Sequence, residues 1–289
     1  MADPEHEPLD PSLLPPAENE LVWSEASASL QPATAMEVLP PARPGKFPPW
    51  SGWDVTAVLC FTLAVVFLFS SIGLGVAHVL TSKRHVSLTE LATNPMVVIG
   101  SQLAAYPVVI LFMILLVRSK TGERFWSAVR WNWPKQATVG YFFSGVLFAF
   151  VVEFASRWLP IPKSLPMDKL FSDTAGAYLM AAFGITLAPL VEELFFRGML
   201  YPLIRRAYGI VVGVLVTGAA FAGIHGTQLG YAWGPLLSIF VVGVVFTLVR
   251  ERTNSVAASF LMHCGYNFTL FAMLWIASDH FRHFEKVTS

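Results

Sequence analysis

Residues 174–204 read TAGAYLMAAFGITLAPLVEELFFRGMLYPLI, an almost uninterrupted apolar stretch that carries two adjacent glutamates. An α-helix needs about 20 apolar residues to cross the hydrocarbon core of a bilayer, so this stretch is long enough to span a membrane. Pro189 lies near its middle and should bend the helix, because proline cannot donate a backbone hydrogen bond. The stretch therefore predicts a bent membrane helix with carboxylates inside it.

Similar apolar runs occupy most of the remaining chain. Together they predict about seven transmembrane spans, at residues 55–80, 94–117, 137–159, 174–204, 209–227, 234–250 and 255–277. Tryptophans cluster near the ends of these runs, as is typical of residues at the membrane interface. The expected fold class is all-α, a polytopic transmembrane helical bundle.

The overall composition agrees with a membrane protein. Hydrophobic residues make up 55% of the chain and charged residues 13%, whereas soluble domains contain about 25% charged residues. Lys and Arg together number 19, as do Asp and Glu, so no excess charge indicates a nucleic-acid partner. Cys60 and Cys264 lie far apart in apolar runs and predict no disulfide framework. An ordinary cytosolic enzyme, a nucleic-acid binder and a disordered regulator are excluded.

The same pattern divides the chain into four regions. Residues 1–53 form an acidic, proline-rich N-terminal tail, which we predict to be disordered because it offers too little apolar surface to bury. Residues 54–173 contain the N-terminal transmembrane helices, residues 174–277 a second helical bundle, and residues 278–289 a C-terminal tail.

The loop charges predict the orientation in the membrane. With a cytoplasmic N-terminus, eleven Lys and Arg residues lie on the cytoplasmic side and seven on the other side. Five of the eleven belong to the 118–135 loop. An excess of Lys and Arg marks cytoplasmic loops. We therefore expect a multi-pass protein of the cell membrane with its N-terminus in the cytoplasm and, for seven spans, its C-terminus outside.

Ionisable side chains inside apolar helices are costly, so we treat them as candidate functional residues. In the predicted spans after residue 173 we single out six polar residues: Glu192, Glu193, Arg197, His225, His263 and Asn267. With a rise of about 1.5 Å per residue, these helices carry their polar groups to similar depths. The pattern predicts one site, which we place in the cytoplasmic half of the membrane.

Glutamate, histidine and asparagine in a dry cavity are typical of water activation. A desolvated carboxylate accepts a proton readily and can act as a general base. Imidazole and amide groups can hold the water and stabilise the oxyanion, either directly or through a bound metal. Glu193 and Arg197 are four residues apart and should form an ion pair.

Three motifs carry a family resemblance: Glu192-Glu193-x-x-x-Arg197, Phe221-x-x-x-His225 and His263-x-x-x-Asn267, each on its own apolar helix. In this order they resemble the CPBP family, which comprises the CAAX-processing endopeptidases and bacterial relatives called Abi proteins. The resemblance covers about residues 174–277 and implies a catalytic helical bundle.

By this resemblance the protein is an intramembrane, metalloprotease-like hydrolase of peptide bonds. Glu192 activates the water, His225, His263 and Asn267 complete the catalytic site, and Glu193, Arg197 and Phe221 support it. A divalent metal such as zinc, held by the four catalytic residues, and a metal-independent reaction both stay open. The expected partners are membrane lipid and a peptide or protein substrate, with or without a lipid chain, and no nucleic acid.

Other function classes also fit parts of the pattern. Histidines on two membrane helices can ligate haem, although haem does not need the paired glutamates. Carboxylates and imidazoles at mid-depth also occur in transporters, but the chain shows no internal repeat. A non-catalytic scaffold is a further alternative, although every motif residue is present.

Overall fold

The computed structural model describes residues 48–84, 86–171 and 173–284. The predicted tail 1–53 therefore lies largely outside the described residues, as do the last residues of the predicted tail 278–289. The helices of the described chain are α1 Gly52–Thr81, α2 Leu88–Ala92, α3 Pro95–Thr121, α4 Phe125–Ala128, α5 Thr138–Ser156, α6 Thr174–Ile185, α7 Leu187–Glu193, α8 Tyr201–Ile224, α9 Trp233–Thr253 and α10 Val256–Ala277. The predicted all-α bundle is confirmed.

The predicted spans 174–204 and 209–227 follow each other directly along the chain, with a sharp turn at Gly209 between them. Six helical segments in the described chain are long and apolar enough to cross a membrane, and Thr174–Ile224 is the longest. Within it, Gly209 has φ 85° and ψ 176°, outside the helical region, a conformation that glycine adopts at little cost. A Cβ built on Gly213 would lie 3.1 Å from the Cα of Arg205, so the chain turns back at Gly209. The two halves of this segment therefore pack side by side.

Local capping signals explain where several helices begin. The Ser51 side chain accepts from the amide of Asp54, and the Asp54 carboxylate accepts from the amide of Ser51, which together cap α1. Asn94 caps α3 through the amides of Met96 and Val97, with Pro95 in the first turn. These caps satisfy amides that have no partner within the helix.

Contacts between loops define one end of the bundle, which we call the N-terminal end. The Arg206 guanidinium donates to the carbonyl of Pro48 at 2.6 Å, and the Trp50 indole donates to the carbonyl of Met199 at 3.0 Å. The Tyr201 hydroxyl, two residues further along, donates to Glu251 at the end of α9. The connections 157–173 and 278–284 follow the far ends of α5 and α10, so they lie at the opposite end of the bundle.

Helices α5 and α10 approach so closely that their backbones almost touch. A Cβ built on Gly145 would overlap the carbonyl oxygen of Met262, and one built on Gly265 would overlap that of Phe142. In lipid, where apolar surface provides little drive for helix association, small residues allow such close packing. These contacts fix α10 against the N-terminal half of the chain.

Gly145→Ala is expected to lower the free energy of unfolding by about 1–3 kcal/mol, since overpacking a tight contact forces the backbone to shift. Gly140→Ala is the matched control, because it lies on the same helix and a Cβ there would meet nothing within 4 Å. Thermal unfolding of both variants in detergent measures the difference. Equal stability of the two variants would contradict the close packing of α5 and α10.

The outer surface of the bundle is apolar. Phe67 on α1 is 75% exposed, and Leu147 on α5 is 67% exposed. Large apolar side chains face outward in this way when lipid is the solvent, whereas soluble monomers rarely expose such patches. The chain is an integral membrane protein.

Candidate active site

The helix that carries the two glutamates is interrupted twice. Helix α6 ends at Ile185, and Thr186 has φ −121° and ψ −74°, outside the helical region. Pro189 lies in the first turn of α7, where its missing N–H costs least. After Glu193 the chain forms a π-helix over Leu194–Leu200, a wider turn that is frequent at functional sites. The predicted bend therefore lies just before the glutamates.

The break at Thr186 leaves a carbonyl for a side chain to bind. The Asn267 amide on α10 donates to the carbonyl oxygen of Gly184 at 2.6 Å. This bond ties α10 to the end of α6. One donor of Asn267 is thereby occupied, while its amide oxygen and second N–H stay available.

Glu193 is completely buried and accepts hydrogen bonds from three side chains. Its Oε1 accepts from Arg197 at 2.7 Å and from Nδ1 of His263 at 3.0 Å, while its Oε2 accepts from the Ser259 hydroxyl at 2.6 Å. Such a set of donors stabilises an ionised carboxylate. Glu193 therefore orients His263 and is poorly suited to accept a further proton.

The Arg197 guanidinium is also fully buried, and each of its nitrogens has a partner. Besides Glu193, it donates to the Thr247 hydroxyl at 3.3 Å and to the carbonyl of Gly243 at 2.9 Å. Its Cζ lies 4.5 Å from the centroid of the Phe221 ring, a distance at which the ring face attracts a cation. The pair Glu193–Arg197 thus links the π-helix to α9 and, through Phe221, to α8.

Glu192 differs from Glu193 in its surroundings. Its side chain is 19% exposed, and its Oε2 lies 3.8 Å from Nε2 of His263. Within the described part of the chain it accepts no hydrogen bond that would hold its charge. A separation of 3.8 Å is too long for a direct hydrogen bond but leaves room for one water bound to both atoms.

In both histidines of the site, a hydrogen bond at Nδ1 fixes the orientation of the imidazole ring. Nδ1 of His225 lies 2.8 Å from the carbonyl oxygen of Phe221. Because a carbonyl and a carboxylate only accept, Nδ1 carries the proton in both His225 and His263. The Phe221 ring packs between them, with centroid distances of 4.9 Å to His225 and 5.8 Å to His263. In its neutral form each imidazole therefore keeps a lone pair on Nε2.

One cavity of about 520 Å³ has all four predicted catalytic residues on its wall: Glu192, His225, His263 and Asn267. The wall also contains Phe221, and most of it is apolar. The cavity extends to Ile161 and Lys163 and to Phe284, which lie at the end opposite the N-terminal end. That the site lies in the cytoplasmic half of the membrane stays a prediction.

The sequence left open whether Glu192, His225, His263 and Asn267 hold a divalent metal such as zinc. Among the described residues, no three His, Cys, Asp or Glu side chains are placed so that they could hold a metal ion. The predicted ligand set Glu192, His225, His263 and Asn267 does not fit a metal site of this kind.

Comparison with known families matches the part of the chain that builds this cavity wall. Residues 174–269 match the family described as type II CAAX prenyl endopeptidase Rce1-like. We refer to these residues as the Rce1-like domain, after the family that they resemble. The resemblance drawn from the three motifs is thereby confirmed, and the family implies a protease. No curated protein and no solved structure matches the chain.

The Rce1-like domain does not enclose the cavity alone. Gln102 and Tyr106 on α3 also line it, although both lie outside the matched residues. Ser259, which binds Glu193, was not predicted from the sequence. Because Ser259 precedes His263 by four residues, helical spacing could have placed both on one face. Gln102 and Tyr106 are likewise four residues apart on one face of α3, but nothing in the sequence places that face at the cavity.

Proposed function

We propose that the Rce1-like domain hydrolyses a peptide bond with a water activated by Glu192. The observation that supports this most strongly is the contrast between the two glutamates. Glu193 is bound by three donors. Glu192 faces the cavity 3.8 Å from Nε2 of His263. Of the two glutamates, Glu192 is the one whose carboxylate accepts no hydrogen bond within the described residues and whose neighbour, His263, can share a water with it.

The proposed reaction follows from these positions. Glu192 removes a proton from the water as its oxygen attacks the carbonyl carbon, and a tetrahedral oxyanion forms. When the intermediate collapses, the C–N bond breaks and the proton on Glu192 passes to the leaving amine. His263, held by Glu193, and His225 would orient the water and the peptide, while Asn267 would contact the oxyanion.

The cavity wall supports a substrate with a large apolar part. Phe171, Phe183 and Leu270 line it together with other apolar residues. We propose a membrane-bound peptide or protein substrate, and a lipid chain attached near the scissile bond would add to its burial in this wall. This is the substrate class that the family description names.

Hydrolysis can be tested with purified protein in detergent micelles and in liposomes. The probe is a fluorogenic peptide that ends in a farnesylated CAAX sequence, with the unfarnesylated peptide as the matched control. We expect cleavage of the farnesylated peptide, with the released C-terminal fragment identified by mass spectrometry. Absence of cleavage of both peptides in both environments would overturn the proposal and favour a transport or scaffold role.

The orientation of the chain is a separate proposal. The loop charges support a cytoplasmic N-terminus, so a reporter fused after Lys135 is expected in the cytoplasm and one fused after residue 289 outside. Paired alkaline phosphatase and fluorescent protein fusions measure this. A cytoplasmic C-terminus would contradict an odd number of crossings. With the N-terminus inside, the cavity would receive substrate from the outer side.

A further inference from the structure

The proposed reaction requires hydrogen-bond donors that point at the oxyanion. Among the four predicted catalytic residues such donors are scarce. Nδ1 of His225 is bound to Phe221, and Nδ1 of His263 is bound to Glu193, so the free Nε2 of a neutral imidazole can only accept. One donor of Asn267 is bound to Gly184. With both imidazoles neutral, these four residues offer the second N–H of Asn267 and, once Glu192 has taken the water proton, a Glu192 O–H whose proton must go to the leaving amine.

A phenol from outside the Rce1-like domain lies on the same cavity wall. Tyr106 on α3 lines the cavity together with Glu192, and the Glu192 carboxylate is close enough to act electrostatically on its hydroxyl. The Tyr106 ring is tilted against Phe183, with a centroid distance of 5.4 Å. The ring is therefore held by packing, on a wall that the reacting groups also line.

The hydroxyl of Tyr106 has a weak partner in the free protein. It donates to the side-chain oxygen of Gln102 at 3.5 Å, one helical turn earlier on α3. This distance exceeds the usual O–H···O separation of about 2.5–3.0 Å, so a charged acceptor would compete for the proton easily. Gln102 keeps the phenol near the cavity without saturating it.

We propose that Tyr106 is a further catalytic residue, whose hydroxyl donates a hydrogen bond to the oxyanion of the tetrahedral intermediate. This inference rests on the proposed function. The step transfers no atom through Tyr106: the proton stays on its oxygen, while Glu192 carries the water proton to the leaving amine. Gln102 is a positioning residue that holds the hydroxyl until the oxyanion forms.

Tyr106→Phe tests this role, because it removes the hydroxyl and keeps the ring against Phe183. Removal of one oxyanion donor typically reduces kcat by about 10²–10³-fold. We expect a reduction of about 10²-fold in kcat on the farnesylated fluorogenic peptide, with KM and the unfolding temperature near those of the wild type. Tyr208→Phe is the matched control, since Tyr208 is 70% exposed and lies far along α8 from the cavity residues.

The pH profile separates this role from a structural one. Loss of an oxyanion donor lowers kcat by the same factor at every pH and leaves the shape of the pH profile unchanged. If Tyr106→Phe shifted the acid limb of the kcat–pH profile and left the plateau value of kcat unchanged, the phenol would act on Glu192 instead. That result would overturn the proposal. Full activity of Tyr106→Phe, with Glu192→Gln inactive, would overturn the role of Tyr106 alone. A wild-type protein that cleaves neither peptide would overturn the proposed function and this inference with it.

Discussion

Glu192→Gln is expected to reduce peptide hydrolysis by about 10²–10⁴-fold, the range that loss of a general base usually causes. The amide has nearly the same shape as the carboxylate but cannot take a proton from water. The measurement is kcat on the farnesylated fluorogenic peptide. Glu192 accepts no hydrogen bond in the described part of the chain. We therefore expect the unfolding temperature of the Glu192→Gln variant to stay near that of the wild type.

Glu153→Gln is the matched control for this experiment. Glu153 lies within the α5 span and is exposed on the outside of the bundle, so the control also replaces a glutamate of a membrane helix. We expect it to retain wild-type turnover. Turnover by Glu192→Gln at a comparable rate would remove Glu192 from the mechanism, whatever the motif resemblance implies.

Glu193→Gln is expected to act mainly on stability. It leaves the fully buried Arg197 guanidinium without a charged partner, and breaking a buried pair on one side costs about 3–5 kcal/mol. The change also weakens the bonds from Ser259 and His263. We expect a clearly lower unfolding temperature in detergent, accompanied by a loss of activity as His263 becomes mobile.

Ser259→Ala provides a graded comparison, because it removes one neutral donor from Glu193 and leaves the ion pair in place. Its expected cost is about 1–3 kcal/mol, the usual penalty when a buried group loses a hydrogen-bond partner. The order of unfolding temperatures should be wild type, Ser259→Ala, then Glu193→Gln. A Glu193→Gln protein as stable as the wild type would mean that the buried pair contributes nothing to folding.

The helices were largely predictable because lipid demands long apolar runs. The runs at 94–117 and 137–159 correspond to α3 and α5, and Asn94 with Pro95 marks the start of α3 as its capping chemistry predicts. The turn at Gly209 was less visible. Hydropathy separated two spans there, but it could not show that a single residue outside the helical region reverses an otherwise continuous helix.

The candidate site was predictable in its residue types but less so in its contacts. The four-residue spacing of Glu193 and Arg197 indicated their ion pair, which the structure contains. The π-helix that begins at Leu194 had no such signal, since its wider turns depend on packing and on which carbonyls find other partners. Nor could spacing reveal that Asn267 binds Gly184, because that contact depends on the irregular backbone at Thr186.

The close backbone contact between α5 and α10 limits which residues of this protein could be moved into another membrane protein. The matched residues 174–269 end inside α10, and they lack both α5, against which α10 packs, and α3, which contributes Tyr106 to the cavity wall. A chimera that moved only those residues into a foreign membrane protein would carry the motifs but would lack the α3 wall of the cavity and the helix against which α10 packs. A graft of residues 95–284 would contain both helices and every residue that lines the cavity.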